Sequence, residues 1–143
     1  MKYQFEKCKR KEKIIQIGID TELVEKELEE ARYDLESAEK SMGEENYKWT
    51  IVQSYYSMFH AFRGLLFSRG FREKSHICLK FAIEVLFVEN GLISEELLDD
   101  FDFAMKTRER ADYSYIYDES LAKEMVESNK KLIDEVENLL YQT

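Results

Sequence analysis

The chain has 143 residues, no proline and only five glycines. Those two residue types make most tight turns, and a β-sandwich or barrel of this length needs many of them. Their scarcity excludes such folds and leaves long helices joined by few connections. Cysteine is nearly absent too: Cys8 and Cys78 stand alone, with no CxxC pair. The expectation is two free thiols in a reducing cytoplasm, not a disulfide framework. No apolar run is long enough for a membrane span or signal peptide, since the patch from Ile14 to Ile19 is broken by Gln16 and Gly18. Only two histidines occur, His60 and His76, with no matching ligand cluster, so neither a metal nor a cofactor is expected. A glycine-rich phosphate loop and a nucleophile motif are also lacking, which removes the common nucleotide-hydrolysing and acyl-transfer classes.

What is present is a globular composition, 44% hydrophobic and 36% charged, at a length that fits one domain over residues 1–143. The net charge of −9 is unevenly spread. Residues 1–13 hold six basic side chains against Glu6 and Glu12, a balance of +4 that leaves −13 for the rest. Residues 1–18 therefore read as a basic N-terminal extension, either a short helix or a loose arm. The acidic body argues against a broad nucleic-acid footprint but leaves room for a local basic pocket.

Apolar spacing marks the helices. Val24, Leu28, Ala31, Leu35, Ala38 and Met42 recur at steps of four and three on one long amphipathic helix, capped by Asp20 or Thr21 and ended near Gly43. A second helix runs from about Glu45 to Ser68, with Gly70 as its stop. A third follows Ser75, and a fourth follows Ser94, whose Glu95 and Glu96 suit the helix dipole. The last starts near Asp118 and turns Ala122, Met125, Val126, Leu132, Ile133, Val136 and Leu140 inward. Short connections between long helices make antiparallel neighbours, so the predicted fold is an all-α up-and-down bundle of four to five helices.

The stretch "SYYSMFHAFRGLLF" lies in the second of these helices and is apolar nearly all round. Such a helix is covered on every side. One line of it, Thr50, Ser54, Ser57, Ala61, Gly64 and Ser68, is small throughout and invites close approach of another backbone. A second copy of the chain is one candidate for that contact, so a homodimer is expected. The alternative is that the basic N-terminal helix covers the extra face. His60 near this line reads first as a hydrogen-bonded core residue.

In "RERADYSYIY", Arg108 continues the inward line Leu97, Phe101 and Ala104, and Asp112 sits one turn later. A guanidinium there needs an anion, because an unpaired buried charge is costly. Basic-before-acidic is the weaker order for a helical pair, so helix support alone is a poor reason for it. A core or interface ion pair remains open, and so does a pocket in which Arg108 meets phosphate. Tyr113, Tyr115 and Tyr117 could stack on bases or close the end of the bundle.

Together "SYYSMFHAFRGLLFSRG", "KSH" and "RERADY" resemble the prokaryotic, nucleotidyltransferase-associated branch of the HEPN superfamily, named for higher-eukaryote and prokaryote nucleotide-binding domains. Over about residues 22–142 the resemblance implies a four- to five-helix bundle, commonly dimeric, often paired with a small nucleotidyltransferase in toxin–antitoxin-like modules. Active members resemble metal-independent ribonucleases whose arginine is followed, after four to six residues, by a histidine, the pair assembling across a dimer. Arg108 takes the arginine's place, and Tyr113 stands where the histidine would. Tyr115 stands where some toxin members carry a tyrosine that the partner modifies with nucleotide. An ordinary tyrosine, with a pKa of ~10, is a poor proton exchanger at neutral pH, so cleavage would need His60 or His76 to stand in.

The expected function is thus a cytoplasmic HEPN-type module binding a nucleotide or RNA at Arg108, Asp112, Tyr113 and Tyr115. Arg108, Tyr113 and His60 are the candidates for any catalysis. The alternatives are a non-catalytic interaction module with a structural Arg108–Asp112 pair and, third, an endoribonuclease toxin. Sequence leaves open whether the chain is an enzyme.

Overall fold

A computed structural model describes residues 2–141. In chain order its elements are α1 (Lys2–Arg10), β1 (Ile14–Gln16), α2 (Thr21–Gly43), α3 (Tyr47–Ser68), β2 (Phe71–Glu73), α4 (His76–Ile83), α5 (Glu95–Tyr113) and α6 (Glu119–Leu140). A π-helical turn, Glu84–Val88, continues α4. The fold is all-α, as predicted, and six helices occur among the described residues, α1 being the one beyond the four to five expected. Helix ends fall where the cap residues place them. Asp20 accepts a hydrogen bond from the Glu22 N–H at 2.9 Å and Asp118 from the Leu121 N–H at 2.8 Å. Gly70 and Gly91 take positive φ at the turns that follow α3 and the π-helical turn. Ser94 departs from expectation. Its hydroxyl makes no capping bond, and its N–H donates to Glu135 of α6 at 3.2 Å instead.

The centre of the bundle is α3, with fourteen of its residues buried, Tyr55 and Phe62 among the largest. Phe101 of α5 meets both rings, at 5.6 Å and 5.0 Å between centroids. Each aromatic buried in this way contributes roughly 1.5–3 kcal/mol. The small line of α3 is occupied from within the chain by α2. Leu28 and Glu27 lie against Gly64, the Ser57 hydroxyl donates to the Ala31 carbonyl, and Ser41 meets Gln53. Rising positions on one helix meet falling positions on the other, so the pair is antiparallel. This is the close approach that small residues permit, and neither a second copy nor α1 is needed to explain it.

The N-terminal segment is more ordered than a loose arm. α1 packs on α4, and β1 pairs antiparallel with β2 in the register Ile14↔Glu73, Ile15↔Arg72 and Gln16↔Phe71. That docking overturns the expectation of two free thiols. Cys8 of α1 and Cys78 of α4 are bonded as a disulfide, with Cα atoms 5.9 Å apart. Neither cysteine has a partner nearby in sequence, so only the packing of α1 on α4 creates the pair. A cross-link closing a loop this long contributes on the order of 2–4 kcal/mol. Cys8→Ser is expected to lower stability by about that amount. Thiol titration of the unfolded, unreduced protein should find no free thiol, and two per chain would contradict the bond.

Candidate functional site

α5 turns Leu97, Phe101, Ala104 and Ala111 into the core, and Arg108 emerges from the same face. Its guanidinium lies 5.2 Å from the ring centre of Tyr55 and 5.9 Å from that of Tyr56. Nη1 donates to Asp112 at 3.3 Å, while Nε is buried without a partner. A cation with five donors is thus held on two aromatic faces with a single long hydrogen bond.

Tyr55 links Arg108 to a histidine from another part of the chain. The Tyr55 hydroxyl and the Nδ1 of His76, the first residue of α4, form a hydrogen bond. Burial pushes the Tyr55 hydroxyl well above the ordinary phenol value, against a smaller downward pull from Arg108. The phenol therefore keeps its proton and donates it to Nδ1. Burial also holds His76 below the ordinary imidazole value; Glu73 opposes the shift, and Arg108 and Arg63 add to it. At neutral pH His76 is accordingly uncharged, with Nδ1 accepting and Nε2 carrying the hydrogen. Its ring stacks on Phe59 at 4.3 Å.

The two tyrosines named with Arg108 lie elsewhere. Tyr113 follows Arg108 by five residues, roughly 140° round the helix, and is 74% exposed. Tyr115 lies beyond the end of α5, with φ of 56°, and is 76% exposed. Neither shares the Arg108 face, and neither ring closes the end of the bundle. Of the four binding candidates, the structure brings together only Arg108 and Asp112.

His60 belongs to a separate network between α3 and α2. Its Nδ1 is 2.6 Å from Glu27 and its Nε2 3.8 Å from Asp34. Arg63, one turn on, is bidentate to Glu73 at 2.9 and 3.1 Å and reaches Glu27 at 3.3 Å. This matches the reading of His60 as a hydrogen-bonded core residue. Burial pulls its pKa down, but the Glu27 hydrogen bond and the charges of Glu27 and Asp34 outweigh that, and the net shift is upward. A raised folded pKa gives stability that is full below the ordinary imidazole value and lost as pH rises through the folded one. The stability gap between parent and His60→Gln should therefore shrink in thermal melts from pH 6 to pH 8. A gap that stays constant would show that the imidazolium contributes nothing. Among the described residues, no cluster of potential metal ligands occurs.

Between α3 and the β1–β2 ribbon lies a cavity of about 530 Å³, lined by Ile15, Phe59, Arg63, Arg72, Glu73, Lys74 and His76. Arg63 is neutralised by its carboxylates, but Arg72 and Lys74 form no ion pair among the described residues. The cavity is therefore a local basic site on an acidic protein, and His76 connects it through Tyr55 to Arg108. Tyr55, Arg72 and Lys74 were not singled out from the sequence. For Arg72 and Lys74 the visible signal was the alternation of charge in "FREKSH" just after the Gly70 turn, of which only "KSH" was used; Tyr55 was seen only as part of the apolar helix.

An all-helical bundle in which a semi-buried arginine of α5 lies against the tyrosines of the central helix α3 defines the class of protein. The chain belongs to the HEPN-domain family: the family model described as "HEPN domain" matches residues 24–139. A protein of Methanocaldococcus jannaschii named "Putative toxin MJ0142" is 32% identical over 103 residues, covering 71% of this chain and 68% of its own length. The crystal structure of TT1696 from Thermus thermophilus shares the fold, with a TM-score of 0.68 at 21% identity, over 81% of this chain and 97% of that one. The family match begins after α1 and β1, so the disulfide's Cys8 and one strand of the ribbon lie outside it. Among the described residues, no helix is long and apolar enough to cross a membrane.

Proposed function

We propose that this chain is a HEPN module that binds a nucleotide or RNA and works as a homodimer beside a small nucleotidyltransferase, in a toxin–antitoxin-like pair. The observation that carries the binding reading is the under-satisfied Arg108: a semi-buried guanidinium with one 3.3 Å hydrogen bond and an unpartnered Nε. A phosphate oxygen is the natural acceptor for such donors. The neighbouring basic cavity and the toxin name of the archaeal relative agree with it.

Binding is favoured over cleavage within the single chain. Tyr113 is exposed on a different side of α5 from Arg108, and the nearest connected imidazole, His76, has its basic nitrogen occupied by Tyr55. Such a ring donates a hydrogen bond but is not free to take a proton. The second reading, a purely structural Arg108–Asp112 pair, is supported by their contact within one helix.

Fluorescence anisotropy with a labelled short RNA and competition by ATP test the binding reading. Affinity should fall as salt rises, since phosphate contacts are electrostatic. Absence of binding to either ligand overturns it. Light scattering at micromolar concentration should find a dimer, and a monomer there removes the homodimer. Co-purification with a co-expressed small nucleotidyltransferase tests the pairing, and separate elution of the two proteins rejects it.

A further inference from the structure

We propose that the cavity between α3 and the β1–β2 ribbon is a seat for a terminal phosphate group, with Arg72 and Lys74 supplying charge and His76 supplying a directed hydrogen bond from Nε2. The proposal rests on the reading of the chain as a nucleotide or RNA binder and assigns the chemical class of the group it holds.

Three observations converge on it. First, the charge: Arg63 is committed to Glu73 and Glu27, and its bidentate partner Glu73 is committed in return. The charges left over on the cavity wall are Arg72 and Lys74. Two unpaired cations match the charge of a phosphomonoester, about −1.5 to −2 near neutral pH, better than the single charge of an internal phosphodiester. Second, the orientation: Tyr55 occupies Nδ1 of His76, and Nε2 has no protein partner among the described residues. Stacking on Phe59 fixes the ring plane. Third, the shape: a volume of about 530 Å³ falls within the range of small-ligand sites and holds a phosphate with part of its nucleoside. Phe59 and the Arg63-paired Glu73 on the cavity's inner wall are buried.

The test compares matched ligands differing only in a terminal phosphate. AMP is set against adenosine, and a short RNA with a 5′- or 3′-phosphate against the same RNA with hydroxyl ends. Each is titrated into the parent and into the Arg72→Ala/Lys74→Ala double variant, whose exposed positions leave the fold intact, as an unchanged melting curve would verify. At least one phosphorylated ligand should bind the parent about tenfold or more tightly than its hydroxyl counterpart. The double variant should lose that preference. Which pair shows it separates a free nucleotide from an RNA end. Equal binding of every matched pair, or a preference that survives in the double variant, overturns the seat while leaving RNA or nucleotide binding standing. Binding of none of these ligands overturns both.

Discussion

Arg63→Ala is expected to lower stability by about 3–5 kcal/mol, a fall of roughly 10–20 °C in melting temperature. The reason lies in what the substitution leaves behind. Glu73 is only 3% exposed, and both of its oxygens are held by Arg63, at 2.9 and 3.1 Å. Removing the guanidinium strands that carboxylate in the interior and takes one of Glu27's two cationic neighbours. It also removes a cation lying 5.1 Å from the Phe59 ring centre and 5.6 Å from that of Phe67. Glu73→Ala should cost less, because Arg63 keeps Glu27. Replacing both together, as Arg63→Met/Glu73→Leu, should recover much of the loss, since no charge is then left unpaired. Thermal melts of the three variants decide the matter. A shift of under about 3 °C for Arg63→Ala would show that the pair is solvated and anchors nothing.

The second large effect concerns Arg108. Arg108→Ala should weaken nucleotide or RNA binding tenfold to more than a hundredfold, the value of about 1.5–3 kcal/mol for hydrogen bonds from a charged donor. Its effect on stability should be smaller than that of Arg63→Ala. The contrast is physical: Asp112, the partner left behind, retains contact with water, whereas Glu73 does not. If the structural reading were correct the pattern would reverse, with a large loss of stability for both Arg108→Ala and Asp112→Ala and no binding to lose.

The helical scaffold was legible because it is written locally. Val24 through Met42 repeat at helical spacing, and Asp20, Asp118, Gly70 and Gly91 mark ends by their own chemistry. The small stripe on α3 was also legible as a close contact, but sequence could not say that α2 fills it. β1 escaped notice because three residues carry too little periodicity, and the Cys8–Cys78 bond because it depends on α1 docking against α4. The site divided along the same line. Arg108 was found from the core stripe it interrupts, and Asp112 from its place one turn on. Tyr113 and Tyr115 were joined to them by what the family resemblance implies; the structure places Tyr113 about 140° round α5 from Arg108 and Tyr115 beyond the helix end. The Tyr55–His76 link and the Arg72 and Lys74 charges arise only when α3, α4 and β2 meet. Arg72, Lys74 and His76 are close in the chain, but Tyr55 and Phe59 join them from another helix, so the local charge pattern alone does not show the site.

Calorimetric titration of the parent protein and Arg108→Ala, side by side, with ATP and with a short RNA tests the central claim most directly. The parent should give saturable heat with at least one of these ligands, and Arg108→Ala should lose tenfold or more in affinity while still melting cooperatively. No heat from the parent with either ligand, together with a large drop in the melting temperature of Arg108→Ala, would contradict the binding function and leave Arg108 as a structural partner of Asp112.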